Sequence, residues 1–166
     1  YIVFGIYFLW EYARNKFILK RNTEWLPIVD EEGQIKGKAP REMCHGNPDL
    51  LHPVVHLHIM NKNKQLFLQK RPMYKTVQPG KWDTAVGGHI EFGEALEQSL
   101  QREADEELGI TKIKPMLVKK YTWKTDIESE LVFMFIAEYN GEIKINENEL
   151  EDGKFWSVEE IKDKIG

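Results

Sequence analysis

Glu103, Glu106 and Glu107 stand three and four residues apart, a spacing that projects carboxylates from one patch of a helix. Like charges so placed cost about 0.2–0.5 kcal/mol per pair. A divalent cation would turn that repulsion into coordination, because carboxylate oxygens are the ligands that Mg²⁺ and its relatives take. Such an ion can neutralise charge on oxygen and acidify a bound water. An acidic run alone is more often a solvated helix face. This one follows the glycine-rich stretch Gly87-Gly88-His89-Ile90-Glu91-Phe92-Gly93-Glu94, so a loop able to approach a ligand closely leads straight into the charged helix.

That helix is predicted over Ala95 to Ile110. Leu96, Leu100, Ala104 and Leu108 recur every fourth position and make one apolar stripe. Gly88, Glu94 and the run Arg102-Glu103-Ala104-Asp105-Glu106-Glu107-Leu108-Gly109-Ile110 stand at spacings that resemble a complete Nudix box. The resemblance implies that Glu103, Glu106 and Glu107 ligate Mg²⁺ or Mn²⁺ and carry the catalysis. One of them, or a carboxylate from a later loop, would be the general base. It also implies that Glu94 and Arg102 pair to lock loop to helix, and that Gly87 and Gly88 serve the tight backbone of the loop.

The five histidines are His45, His52, His56, His58 and His89. His56 and His58 alternate within a strand and read as ordinary strand residues. His45, His52 and His89, with Glu128 and Glu130, match in order the three histidines and two glutamates that hold a divalent metal in isopentenyl-diphosphate isomerases, a branch of the same superfamily. The resemblance implies a second site for Zn²⁺, Mn²⁺ or Mg²⁺, since imidazole with carboxylate suits all three. It also places Arg41, Arg71 and Lys75 where those isomerases grip a diphosphate, a task suited to guanidinium and ammonium groups. Two departures decide between the branches. The isomerases have a catalytic cysteine where this chain has Gly87, and arginine where it has Glu103. The expected function is therefore metal-dependent hydrolysis of a diphosphate linkage in a small organic or nucleoside compound. The alternatives are an isomerase using another acid–base pair, or a non-catalytic sensor of a diphosphate ligand; an intact glutamate set argues against the sensor. Trp82, Trp123 and Trp156 read as core before they read as residues that stack on a base.

The remaining sequence must supply the frame. Trp25 to Val29 and Gln34 to Lys38 read as a hairpin, Arg41 to Pro48 as a turn-rich connection, and Leu51 to Met60 and Gln65 to Lys70 as strands. After the helix, Lys114 to Trp123 and Leu131 to Tyr139 read as strands around a polar bend, Lys124 to Glu130. Asn140-Gly141 reads as a hairpin turn into Glu142 to Ile145. Phe155-Trp156 reads as a short strand, and Ser157 opens a capping box for a closing helix to Ile165. That order is α+β, and the resemblance resolves it to the Nudix fold, a mixed β-sheet in an α/β/α sandwich, over residues 23–166.

At 166 residues the chain fits one such domain plus an apolar N-terminal extension, residues 1–22. Tyr1 to Trp10 is apolar throughout, about half the roughly 20 residues a spanning helix needs. No basic region precedes it and no small-residue cleavage site follows, so neither a membrane span nor a signal peptide is expected. A docked helix or strand is, covered by the second subunit of a homodimer, because so much aromatic surface should not stay wet. The net charge of −4 gives no basic stripe for nucleic acid. The lone Cys44 excludes an internal disulfide and fits a reducing, cytoplasmic setting.

Overall fold

The computed structural model describes residues 23–75 and 77–165; the apolar stretch 1–22, expected to dock as a helix or strand, lies outside the described residues. The chain runs β1 (Trp25–Val29), β2 (Ile35–Pro40), α1 (Arg41–Cys44), β3 (His52–Met60), β4 (Leu66–Lys70), β5 (Trp82–Asp83), β6 (Val86–His89), α2 (Leu96–Leu108), β7 (Met116–Lys124), β8 (Ser129–Glu138), β9 (Asp152–Trp156) and α3 (Val158–Ile165).

β3 is the centre. Along one edge it pairs in parallel with β8, from His52 opposite Glu130 to Met60 opposite Glu138. Its other edge is shared. β6 pairs antiparallel with Val54 to Leu57, and β4 meets only Ile59 and Met60. β4 then diverges to pair with β9 and β5, and β7 closes the far side against β8. The expected mixed sheet of an α+β fold is present.

Strand alternation divides the sheet into two faces. Val55, Leu57 and Ile59 of β3 are fully buried and pack with Leu100, Ala104 and Leu108 of α2. The stripe read from the sequence is thus the buried side of α2. Each leucine so buried stabilises the fold by about 1.5–3 kcal/mol. Gly109 ends the helix at φ +66°. Ile110 N–H reaches back to the Ala104 carbonyl and Gly109 N–H to that of Asp105, a left-handed stop that L-residues adopt with strain. The β1–β2 hairpin forms as expected and is tied to the site loop by the Phe92 N–H on the Trp25 carbonyl, 2.8 Å. At α3, Ser157 and Glu160 cap each other's backbone N–H groups, as the capping-box spacing requires.

Three expectations need correction. Part of the turn-rich connection, Arg41 to Cys44, is the short helix α1. Glu130 lies inside β8 rather than in the bend before it, because its position is paired with His52 across the parallel ladder. Residues 142–145 form no strand. They run instead past the end of α2, where Lys144 N–H bonds the Leu108 carbonyl (3.0 Å) and Asn146 N–H that of Glu107 (2.8 Å). The last carbonyls of a helix lack internal partners, and here they capture the segment that the Asn-Gly turn would have folded back on β8. No helix among the described residues is long and apolar enough to cross a membrane.

Candidate metal and diphosphate site

α2 holds its glutamates against the two glycines of β6. A Cβ on Gly88 would fall within the Glu103 carboxyl group, so this close approach requires glycine. Gly87 N–H bonds the Glu107 carboxylate, which also receives the Gln69 side-chain amide at 3.4 Å. Burial raises the proton affinity of both acids. Glu107 is pushed up to about 8, first by burial and then by the Glu103 charge. Glu103 is raised by burial against the opposing pull of Arg102. Two carboxylates buried side by side repel each other, and a divalent cation held between them would relieve that repulsion. Glu106 is different: its side chain is 57% exposed and meets Arg102 at 3.3 Å.

Arg102 is the knot of this region. Its Nε and Nη2 donate to the two oxygens of Glu94, each at 2.9 Å, a bidentate pair. The same guanidinium reaches Glu103 (2.8 Å) and the His89 carbonyl (3.1 Å). Ser99 completes the shell with its hydroxyl on Glu94. The Arg102 bonds hold the Glu94 carboxyl down at about 2. Loop, strand and helix therefore share one ion pair.

The second constellation lies at the start of β3. The ligand atoms of His45, His52 and His89 lie within 4.8 Å of one another. His52 Nδ1–H donates to the Leu50 carbonyl at 2.9 Å, which leaves a lone pair on Nε2. Among the described residues, His52 Nε2 and His89 Nε2 are buried without a hydrogen-bond partner. Buried polar atoms are rarely left so, and a metal would satisfy both. Burial lowers the proton affinity of both rings, His89 strongly, and Arg41 adds to it there; both stay neutral, as metal ligation needs. His45 accepts from Arg41 Nε at Nε2 (3.3 Å) and donates Nδ1–H to the buried Glu128 at 2.6 Å. Exchanging Arg41 for a metal at Nε2 would leave a carboxylate–histidine–metal arrangement. Glu130 stands beside His52 in the ladder but makes no hydrogen bond to these rings. Its carboxyl is pushed up to about 7, by burial and then by the Glu128 and Asp83 charges.

The three basic residues border three parts of the site rather than one. Arg41 pairs with Glu24 at 2.8 Å, next to the histidines. Arg71 bonds the Val77 carbonyl and Asp83 and faces Glu130 electrostatically. Lys75 pairs with Glu149 at 2.7 Å, and both act on Glu107. Neither type nor spacing marks Asp83 and Glu149 as site residues. Gln69 carried the one readable signal, an amide in the inward series of an apolar strand; it is 2% exposed. Cys44 is fully buried beside Leu26 and Ala39, and burial raises its thiol, so it does not replace the thiol absent at Gly87.

The model of the NUDIX domain matches residues 50–166. The isopentenyl-diphosphate Delta-isomerase of Citrobacter koseri is 27% identical over 144 residues, 83% of this chain and 80% of that protein. An uncharacterized Nudix hydrolase of Escherichia coli, YfcD, is 34% identical over 92 residues, 55% of this chain. The chain spans 51% of that relative's length. Among solved structures, DR0079 from Deinococcus radiodurans superposes with a TM-score of 0.73 at 22% identity, covering 86% of this chain and 88% of that one. The NUDIX domain of Shewanella oneidensis NrtR, solved with ADP ribose, gives 0.58 at 16% identity over 67% and 75%. With the glutamates, glycines and Arg102 arranged as described, and most of its length matched by the family model, this chain belongs to the Nudix family.

Proposed function

We propose that the chain is a Mg²⁺- or Mn²⁺-dependent hydrolase of a diphosphate linkage in a small organic or nucleoside compound. The observation that carries this reading is the pair of buried carboxylates, Glu103 and Glu107, packed over Gly88 and Gly87 with their proton affinity raised. When bound, the metal supplies charge neutralisation at the phosphoryl oxygens and acidifies the attacking water. Glu103 and Glu107, with Glu106 at the rim, would hold it. Arg102 and Glu94 keep α2 and the β6 loop in register, and Lys75, whose charge acts on Glu107, offers positive charge to the diphosphate. Water attacks phosphorus, a bridging P–O bond breaks, and a carboxylate of this set takes the proton. The hydrolase domain is taken as residues 23–166, because the β1–β2 hairpin is bonded to the site loop through Trp25 and Phe92.

The test is a panel of nucleoside diphosphates, sugar nucleotides and isoprenoid diphosphates with Mg²⁺ or Mn²⁺. Metal-dependent release of phosphate or of a phosphorylated product is expected, and Glu107→Gln should abolish it with the fold intact. Binding without turnover would overturn the reading in favour of a sensor. A second reading, an isomerase, is favoured by the His45–His52–His89 cluster together with the isomerase relatives. Double-bond migration in isopentenyl diphosphate without phosphate release would establish it instead.

A further inference from the structure

Two of the three clustered imidazoles, His52 and His89, have Nε2 atoms that are buried and without a hydrogen-bond partner among the described residues. The third ring differs. Arg41 Nε–H donates to His45 Nε2 at 3.3 Å. A guanidinium has donors only, so Nε2 is the acceptor and the ring proton sits on Nδ1, facing the buried Glu128 at 2.6 Å. The lone pair through which His45 would join a metal is thus occupied by Arg41. Burial comes first in lowering the proton affinity of His52 and His89, and the Arg41 charge adds to it at both rings. That charge opposes an arriving cation for the same reason that it opposes a proton. Arg41 also has somewhere to go. It lies in the four-residue helix α1, its side chain is 47% exposed, and its Nη1 holds Glu24 at 2.8 Å. Its backbone N–H holds the Glu24 carbonyl at 2.9 Å. A turn of the guanidinium about the Glu24 contact releases Nε from His45 and keeps the ion pair.

We propose that Arg41 is a built-in competitor at the histidine cluster: its guanidinium holds the place of a divalent cation at His45 Nε2, and an ion binds by displacing it. This rests on the three histidines being a metal site, and it adds what sets that site's affinity. The exchange releases no proton. The Arg41 Nε–H to Nε2 bond breaks, the Nε2 lone pair forms the metal bond, and Nδ1–H stays on Glu128. Arg41 keeps Glu24 and turns its freed Nε–H to water. Ions that imidazole binds well, Zn²⁺ ahead of Mg²⁺, overcome the competition at lower concentration. A hydrogen bond from a charged donor corresponds to about tenfold or more in affinity, so the cluster binds metal at least that much more weakly than the same imidazoles without Arg41.

The test is titration of the full chain with Zn²⁺ by calorimetry and with Co²⁺ by visible absorption. His52→Ala marks which part of each signal belongs to the histidines. Arg41→Met keeps the length of the side chain and removes donor and charge; it is expected to tighten the His52-dependent binding about tenfold. Arg41→Lys keeps the charge without the Nε bond and should tighten it about threefold, which also decides the matter if the methionine variant loses its fold. Glu24→Gln alone should not tighten binding, and in combination with Arg41→Met it should leave the gain in place. A folded Arg41→Met that binds no more tightly than the wild type would overturn the proposal. So would a gain that vanishes with Glu24→Gln, because the released Glu24 carboxylate would then be its source. If neither the wild type nor Arg41→Met shows His52-dependent binding, the histidine metal site falls and this proposal with it. The hydrolase reading is judged separately, by Mn²⁺ binding that Glu107→Gln removes.

Discussion

Substituting Gly88 by alanine isolates the contact on which the metal site depends. The added Cβ would coincide with the Glu103 carboxyl group. Restoring van der Waals contact requires that carboxylate to move by more than about 1 Å, and a misplacement of that size can cost about 10²-fold in rate, or about 2.7 kcal/mol of barrier. Gly88 has no positive φ, so alanine fits its backbone, and the fold should lose about 1 kcal/mol through the weakened Arg102–Glu103 bond. For a chain of this size that lowers Tm by about 2–4 °C. Gly87→Ala is the control: its Cβ would meet only the His56 ring at 3.8 Å and the Thr84 methyl at 3.9 Å, which are ordinary contacts. Mn²⁺ titration by calorimetry, a thermal melt, and turnover of whichever diphosphate the panel identifies give the three readouts. Gly88→Ala should lose metal affinity and rate with little change in Tm, while Gly87→Ala stays within about threefold of wild type. If Gly88→Ala keeps both, or the two variants fail equally, the packing of Glu103 over Gly88 is not what organises the site.

Two further expectations concern acid and metal. The Glu94 carboxyl is held at about 2 instead of 4.5 by Arg102 and Ser99; a depressed folded-state value stabilises the protein above pH 4.5 and loses that effect as pH falls towards 2. Glu94→Gln should therefore be less stable at neutral pH by at most about 3 kcal/mol, and the gap in urea-unfolding free energy should close by about pH 2; a gap independent of pH would refute the ion-pair account. At a hundredfold excess over Kd, Zn²⁺ or Mn²⁺ should stabilise the wild type by about 2.7 kcal/mol, and His52→Ala or His89→Ala should remove the corresponding rise in Tm. An undiminished rise in both variants would place the ion elsewhere.

The glutamate site was legible because its parts lie on one helix and one adjoining loop, where local spacing fixes which side chains share a surface. The stripe from Leu96 to Leu108 told which side of α2 is buried, and so which side offers its carboxylates to the loop. The histidine group was legible by type and order, yet its bonding was not: Glu128 reaches His45 only because β8 lies parallel to β3, whereas Glu130, in register with His52, turns its carboxyl to other neighbours. Arg41, Arg71 and Lys75 read as one grip and stand in three separate ion pairs, with Glu24, Asp83 and Glu149, none of them near in sequence. The Asn140-Gly141 turn failed as a hairpin signal for the same reason. It is a local preference, and the unpaired carbonyls at the end of α2, more than thirty residues away in the chain, outcompeted it. His56 and His58 read as ordinary strand residues, and the Thr84 hydroxyl, between β5 and β6, meets His58 only once β6 has paired with β3.

The parallel pairing of β3 with β8 has a consequence for how this protein comes to be folded. His52 and Glu130 are about 80 residues apart, and closing a loop of that length costs about 4 kcal/mol of chain entropy before any contact repays it. The residues that would hold the second metal come from both sides of that closure. The ion therefore has no assembled site in the unfolded chain and none in an early, locally collapsed one. Metal present during refolding should leave the folding rate nearly unchanged and slow unfolding instead, so that the histidine cluster acts as a latch set only after the longest-range strand pairing is complete.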